Sequence, residues 1–287
     1  MEFRSRFLAL NSLIRQVILL LCFPAYCVLG QTVERPSAEP SRVIEDNSFL
    51  IEEAYNQENG VVQHISNGIL SFGLQKDILY SFTQEWPVGG QSHQLSYTVP
   101  YSLPRSDRQG GIGDVLLNYR YQFFGHDDWA AVAPRLSIIV PTGSASSGMG
   151  SGVLGLQLNM PASKRLSNFF VVHLNAGFTL LPGVRQQLDS GGETQRNLIS
   201  ANLGGSLVWL IADDFNFMLE YLTNYSTDMQ SNGTTRGSIK TIVNPAFRYA
   251  VNVGSMQIVP GIGIPITFDG GALRAGMFLY LSFEHPF

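Results

Sequence analysis

The sequence predicts an all-β chain, a transmembrane antiparallel β-barrel of about twelve strands, on three observations. The stretch Ala275-Gly-Met-Phe-Leu-Tyr-Leu-Ser-Phe-Glu-His-Pro-Phe287 alternates, with Ala275, Met277, Leu279, Leu281, Phe283, His285 and Phe287 on one parity. Gly276, Phe278, Tyr280, Ser282 and Glu284 lie on the other, so one face suits lipid and the other water. About twelve strand-like segments follow one another from residue 61 to 287, an even number that returns the last strand beside the first. The connections alternate between tight (125–128, 163–168, 212–214, 253–255) and long and polar (104–112, 142–151, 182–196, 227–239). A soluble sandwich has no reason to gather its long loops at one end, whereas an outer-membrane barrel does so by rule.

The chain begins with a different pattern. Arg4, Arg6 and Arg15 precede an apolar run from Val17 to Leu29, long enough for a signal h-region and too short to span a bilayer. Residues 1–30 read as a cleavable secretory signal, with Val28 and Gly30 small enough for the peptidase pockets. A lipoprotein signal centred on Cys27 is the weaker reading, because Tyr26 puts a ring where a small residue is needed. Both cysteines, Cys22 and Cys27, fall inside this segment, which removes disulfides, thiolate metal sites and cysteine nucleophiles from the mature chain. Without the signal, 15 basic residues stand against 21 acidic ones, and no basic face favours nucleic acid.

Residues 31–47 are polar and carry Pro36 and Pro40, so they read as a loosely held arm. Residues 48–60 are ambiguous: a short helix with Glu52, Glu53 and Gln57 on one side, or a strand before a turn at Asn59-Gly60. The organisation is therefore signal peptide 1–30, N-terminal arm or partial plug 31–60, and barrel 61–287. Segments are expected at about 61–70, 78–87, 92–103, 113–124, 129–141, 152–162, 169–181, 197–211, 215–226, 240–252, 256–267 and 272–287. The longest apolar run falls short of the 18 residues of a spanning helix, which argues against a helical membrane protein.

Parity assigns faces. In the fourth segment Val115, Leu117, Tyr119, Tyr121 and Phe123 oppose Asp114, Asn118, Arg120 and Gln122; in the seventh, Val172, Leu174, Ala176, Phe178 and Leu180 oppose His173, Asn175, Gly177 and Thr179. The tenth sets Val243, Pro245, Phe247, Tyr249 and Val251 against Asn244, Ala246, Arg248, Ala250 and Asn252. An arginine facing lipid at the midplane costs about 2–4 kcal/mol, so Arg120, Arg135, Arg248 and Arg274 should point inward. Trp86 and Trp209 fall on outward parity near the tight-turn end, where an aromatic girdle belongs; Trp129 is at that level on inward parity.

The candidate site is the lumen, lined by Glu85, Asp114, Arg120, Arg135, His173, Glu220, Arg248 and Arg274. Separated charge rows would orient or select a solute; the same charges, paired across a narrow barrel, would be a structural network. Twelve strands enclose more space than the eight that side chains can fill and less than a general porin. Gly148-Met-Gly150-Ser-Gly152 has no following lysine and reads as a turn, and Asp127-Asp128 and Asp213-Asp214 lack calcium-loop spacing. Neither metal nor other cofactor is expected, and isolated histidines such as His93 and His173 do not assemble a catalytic group, so an enzyme is not expected.

Phe49-Leu-Ile-Glu-Glu-Ala-Tyr-Asn-Gln-Glu58 with Gly60-Val-Val-Gln-His64, Tyr80-Ser-Phe-Thr-Gln-Glu-Trp-Pro87, Gly111-Ile-Gly-Asp-Val-Leu-Leu-Asn-Tyr-Arg-Tyr121 and Arg135-Leu-Ser-Ile-Ile-Val-Pro-Thr-Gly143 resemble a bacterial family. It is the outer-membrane transporter-like barrel family of the phenol-degradation meta-pathway type, and the resemblance runs over most of the chain from Phe49. It implies a passive channel in the bacterial outer membrane for small solutes, aromatic or hydrophobic ones among them. The implied partners are that solute, outer-membrane lipid and the barrel-assembly machinery, for which the C-terminal Phe287 resembles the insertion signal. The alternative is a structural or adhesive barrel with a closed lumen and working outer loops.

Overall fold

Alternation along each segment leaves half of its side chains apolar and outward, and a sheet in that state satisfies its backbone only by closing on itself. The computed structural model describes Ile44 and residues 46–72, 77–103, 110–125 and 128–287. The expected signal segment and the first part of the arm lie outside the described residues. Twelve antiparallel strands form the wall. They are β1 (Val61–Ser71), β2 (Ile78–Pro87), β3 (His93–Leu103), β4 (Gly111–Ile112 and Val115–Tyr121), β5 (Ala131–Val132 and Arg135–Val140) and β6 (Gly155–Arg165). There follow β7 (Phe170–Gln187), β8 (Glu193–Ala212), β9 (Phe215–Met229), β10 (Thr235–Tyr249, continued by Val251–Val253), β11 (Met256–Gly263 and Ile266–Asp269) and β12 (Ala272–Pro286).

Each strand pairs with the next, and β12 closes on β1 from Val61↔Pro286 to Ser71↔Gly276. At the seam the Phe287 N–H donates to the Gly60 carbonyl at 2.9 Å, next to the expected Asn59-Gly60 turn, where Gly60 has φ +78°. Breaks in β5 and β11 coincide with Pro134 and Pro265, which have no N–H to give the ladder.

The faces follow parity. Leu117, Leu136, Leu158, Leu174, Leu203, Leu219, Phe247 and Leu279 are exposed, while Asn118, Ser137, Asn159, Asn175, Ser206, Glu220, Asn244 and Tyr280 are buried inside. So broad an apolar exterior suits lipid, not water. Aromatic rings gather towards the tight turns: Phe170 stacks on Trp209, Phe215 on Phe247, and Trp86 meets Tyr97 edge-on. Trp129 is 83% exposed and lies under the Lys164 ammonium, 3.6 Å from its ring centre, a cation–π contact at the barrel end.

Two of the long connections are mostly strand. β7 and β8 stay paired out to Gln187↔Glu193, and β9 and β10 out to Met229↔Thr235, which leaves only 188–192 and 230–234 as turns. Beyond the bilayer neither face of a hairpin has to be apolar, so the ladder continues through polar sequence that hydrophobic alternation does not reveal. Residues 142–151 keep the loop conformation, tied down by Asp114, as described below.

A basic residue on the outer face tests this orientation. Leu158→Arg should cost about 2–4 kcal/mol of folding stability in lipid, and Leu158→Gln, polar but uncharged at the same site, should cost less. Urea titration of the heat-modifiable band in vesicles reads both.

Candidate functional site: the lumen and the segment that crosses it

Residues 46–57 settle into neither alternative expected of this region. They form an irregular segment whose backbone is hydrogen-bonded to inward side chains of the wall. Within a barrel a single extended chain has no neighbouring strand, so each N–H and C=O needs a partner from elsewhere. Amide, hydroxyl and charged side chains of the strands supply them.

The carboxylate of Asp46 accepts from Asn47 N–H and Gln63 Nε2, both at 2.8 Å, from Tyr280 Oη at 2.5 Å, and from Ser282 Oγ. Arg248 donates to the carbonyls of Asp46 (2.6 Å), Asn47 (3.0 Å) and Ile44 (3.3 Å). Glu220 accepts from Leu50 N–H at 2.7 Å with one oxygen and from Asn244 Nδ2 at 2.6 Å with the other. Asn175 reads both sides of one residue, accepting from Glu52 N–H (2.9 Å) and donating to its carbonyl (2.8 Å). Ala54 N–H donates to Ser163 Oγ at 2.7 Å. Ser163 Oγ also lies 2.7 Å from His173 Nδ1. Gln122 brackets Ala54 O and Asn56 N–H, and Gln94 accepts from Gln57 N–H at 2.7 Å.

Arg120 is the densest node. It donates to the carbonyls of Glu53 (3.2 Å) and Tyr55, to Asn56 Oδ1 (2.8 Å) and to Gln94 Oε1 (3.2 Å), with Glu85 4.0 Å away as its counter-charge. Gln94 Nε2 donates to Glu85 in turn, at 2.8 Å.

Apolar contacts set the height of the segment. Phe49 stacks on Phe278 and Tyr280 with ring centres 5.1 and 4.8 Å apart. Its ring occupies the space where a side chain at Gly261 would stand, and Ile51 does the same at Gly204. Phe49, Phe278 and Tyr280 are each over nine-tenths buried, which is why β12 carries large rings on its inward face.

Arg135 differs from Arg120 and Arg248 in holding a carboxylate through two of its N–H groups. Its Nε and Nη2 reach the two oxygens of Glu52 at 3.0 and 2.5 Å, while the remaining N–H groups go to Asn118 Oδ1, Ser137 Oγ and Gln157 Oε1. Burial opposes ionisation of Glu52, but the charge and hydrogen bonds of Arg135 outweigh it and hold the carboxyl below its ordinary 4.5.

The sequence-predicted residues thus divide. Glu85, Arg120, Arg135, His173, Glu220 and Arg248 come together around the crossing segment. Asp114 does not face that cluster: its carboxylate accepts from Gly143 N–H and from Ser151 N–H and Oγ, clasping the 142–151 loop at the rim. Arg274 has the expected parity but sits three residues past the Gly270-Gly271 turn, exposed near the start of β12. His93 pairs with Tyr119 Oη at 2.7 Å on the outer face. Sequence reasoning did not single out Asp46, Glu52, Gln63, Gln94, Gln122, Ser163 or Ser206 as site residues. Their shared signal is a small polar residue on inward parity, or a carboxylate in an otherwise featureless arm.

Two cavities flank the segment. One, about 200 Å³, opens towards the tight turns and is lined by Glu53, Ser163, Lys164, His173 and Arg248 among others. The second, about 190 Å³, lies on the long-hairpin side, with Glu52, Arg135, Gln157, Asn159, Asn175 and Thr179 in its wall. Neighbouring residues Glu52 and Glu53 line opposite cavities, so one thickness of chain separates them. Short turns are periplasmic in barrels of this kind, which makes the second cavity the outer one.

No protein-family model matches the chain, and no curated protein matches it. Among solved structures, an outer membrane channel from Pseudomonas putida F1 superposes with a TM-score of 0.55 at 11% identity, covering 82% of this chain and 98% of that one. The NanC porin gives 0.47 at 12% identity over 78% of this chain and 100% of its own. The CymD monoaromatic hydrocarbon channel gives 0.42 at 11% over 80% and 89%. At such identities likeness bears on fold alone, and the fold it shares with the first agrees with the wall described above. A closed barrel of twelve strands with an apolar belt and polar interior is a bacterial outer-membrane β-barrel.

Arg248→Glu should destabilise the barrel instead of retuning it, because a carboxylate would face three carbonyls and Asp46 in a buried site; a loss of about 3–5 kcal/mol is expected in the same urea titration. Because Glu52 is depressed, its clasp on Arg135 contributes in full above about pH 4.5 and is lost only as pH falls through the lower folded value. The stability difference between the wild type and Glu52→Gln in that titration should therefore hold steady from about pH 7 to pH 5 and shrink only in stronger acid.

Proposed function

We propose that this protein is a passive channel for small solutes across the outer membrane, held closed by residues 46–57 acting as a partial plug. The observation that carries the reading is the pair of cavities on either face of a segment one residue thick. A barrel built only for rigidity has no need to keep space on both sides of a removable strap. The strap is bound by many individually modest hydrogen bonds to side chains and by no continuous ladder, so it can shift without opening the wall. Amides, hydroxyls and an ion pair line the outer cavity, which favours polar solutes over the aromatic or hydrophobic ones that the family resemblance implies.

The lumen charges then act as strap holders first. Arg120 and Arg248 are committed to strap carbonyls, Glu220 to strap N–H groups, and none of them is arranged as an open charge ladder. Phe287, at the seam with Gly60, fits a role in assembly and edge closure. A second reading, a structural or adhesive barrel with a permanently closed lumen, draws support from the paired ribbons of β7–β8 and β9–β10 that extend beyond the belt.

Conductance in planar bilayers separates the two. Wild-type protein should show low, intermittent conductance. Arg120→Ala, which removes the hold on Glu53, Tyr55 and Asn56, should raise the open fraction several-fold while the heat-modifiable band persists. Folded Arg120→Ala protein that conducts no better than protein-free bilayers would sink the channel reading.

A further inference from the structure

Glu52 is held as a bound carboxylate is held by a receptor. The Arg135 fork grips both of its oxygens. This donor comes from β5, a strand of the wall, whereas the carboxylate comes from the strap. The fork is positioned independently of its guest, because Asn118, Ser137 and Gln157 occupy its other N–H groups. Planar bidentate geometry of this kind is specific for carboxylate. Unlike Arg120 and Arg248, which are at most 3% exposed, the pair is reached from the outer cavity: the Arg135 side chain is 14% exposed and that of Glu52 31%. The adjoining space of about 190 Å³ admits a small organic acid.

We infer that the outer cavity is a binding site for a small carboxylate, which competes with Glu52 for Arg135 and so loosens the strap from the outside. Glu52 is an internal ligand that keeps the receptor filled and the passage shut. An arriving carboxylate exchanges one Arg135 partner for another, so the guanidinium is never left unpaired. The freed Glu52 loses its anchor to β5 but keeps the Asn175 clasp on its backbone, which confines the movement to the strap. The inference deepens the channel reading and rests on it only for the opening step; the receptor site stands or falls separately.

An occupied receptor binds an external ligand more weakly in proportion to its free fraction. If Glu52 fills the site about nine-tenths of the time, removing its charge should strengthen external binding about tenfold. Benzoate, with benzamide as the uncharged isostere, is titrated by calorimetry into the full-length protein in detergent. Expected are weak benzoate binding to the wild type, binding at least about tenfold tighter to Glu52→Gln, and none of benzamide to either. Arg135→Lys, which keeps the charge and loses the fork, should weaken benzoate binding in the Glu52→Gln background about tenfold. Heat-modifiable migration confirms folding of each variant, and Arg135→Lys alone decides the matter if Glu52→Gln does not fold: unchanged benzoate binding there overturns the site. Equal binding of benzoate to wild type and Glu52→Gln, or of benzamide and benzoate, overturns it too. Tighter benzoate binding in a protein that never conducts would keep the site and discard the channel; conductance indifferent to benzoate, with no binding, would do the reverse.

Discussion

The organisation of this molecule depends on one constraint, the need of a lone chain segment inside a barrel to find partners for its backbone. Residues 46–57 lie among strands whose own N–H and C=O groups are consumed by the wall ladder. What remains are side chains on inward parity: Gln94, Arg120, Ser163, Asn175, Glu220 and Arg248 meet the backbone of the segment, and Gln63, Arg135, Ser206 and Tyr280 meet its side chains. A buried carbonyl or amide left without a partner would cost about 1–3 kcal/mol.

The same constraint governs where charge sits. A guanidinium in a narrow lumen needs several acceptors at once, and carbonyl oxygens of an irregular segment can converge on it from directions a strand does not allow. Arg120 and Arg248 exploit this. Glu85 lies 4.0 Å from Arg120, and Asp46 belongs to the stretch of backbone that Arg248 grips. Arg135 grips a side-chain carboxylate through two N–H groups, and it is the one of the three that lines the outer cavity.

Much of this was legible from sequence. Parity placed Arg120, Arg135 and Arg248 inside, set Phe278, Tyr280 and Ser282 of the last strand on the inner face, and put Trp209 in the outer belt. Each follows from the two-residue period of a strand and the cost of a charge in lipid. The reach of the β7–β8 and β9–β10 ribbons was not legible, because outside the bilayer no hydrophobic alternation is required and the pairing leaves no pattern. Asp114 and Arg274 show the limit of parity in another way: it fixes the side of the wall a residue faces but not its height, and both lie at the rim.

The crossing segment marks the boundary between what the chain determined by itself and what only folding decided. Strand number, face assignment and the sense of the long and short connections arise from local periodicity, a property that each segment carries alone. Residues 46–57 have no period, because their conformation is dictated by side chains drawn from positions up to 236 residues away. Which carboxylate meets which arginine, and that Glu52 and Glu53 open on opposite cavities, follow from closure of the barrel. Only closure brings β5, β7 and β12 around one point, and no local pattern in the chain encodes that distance.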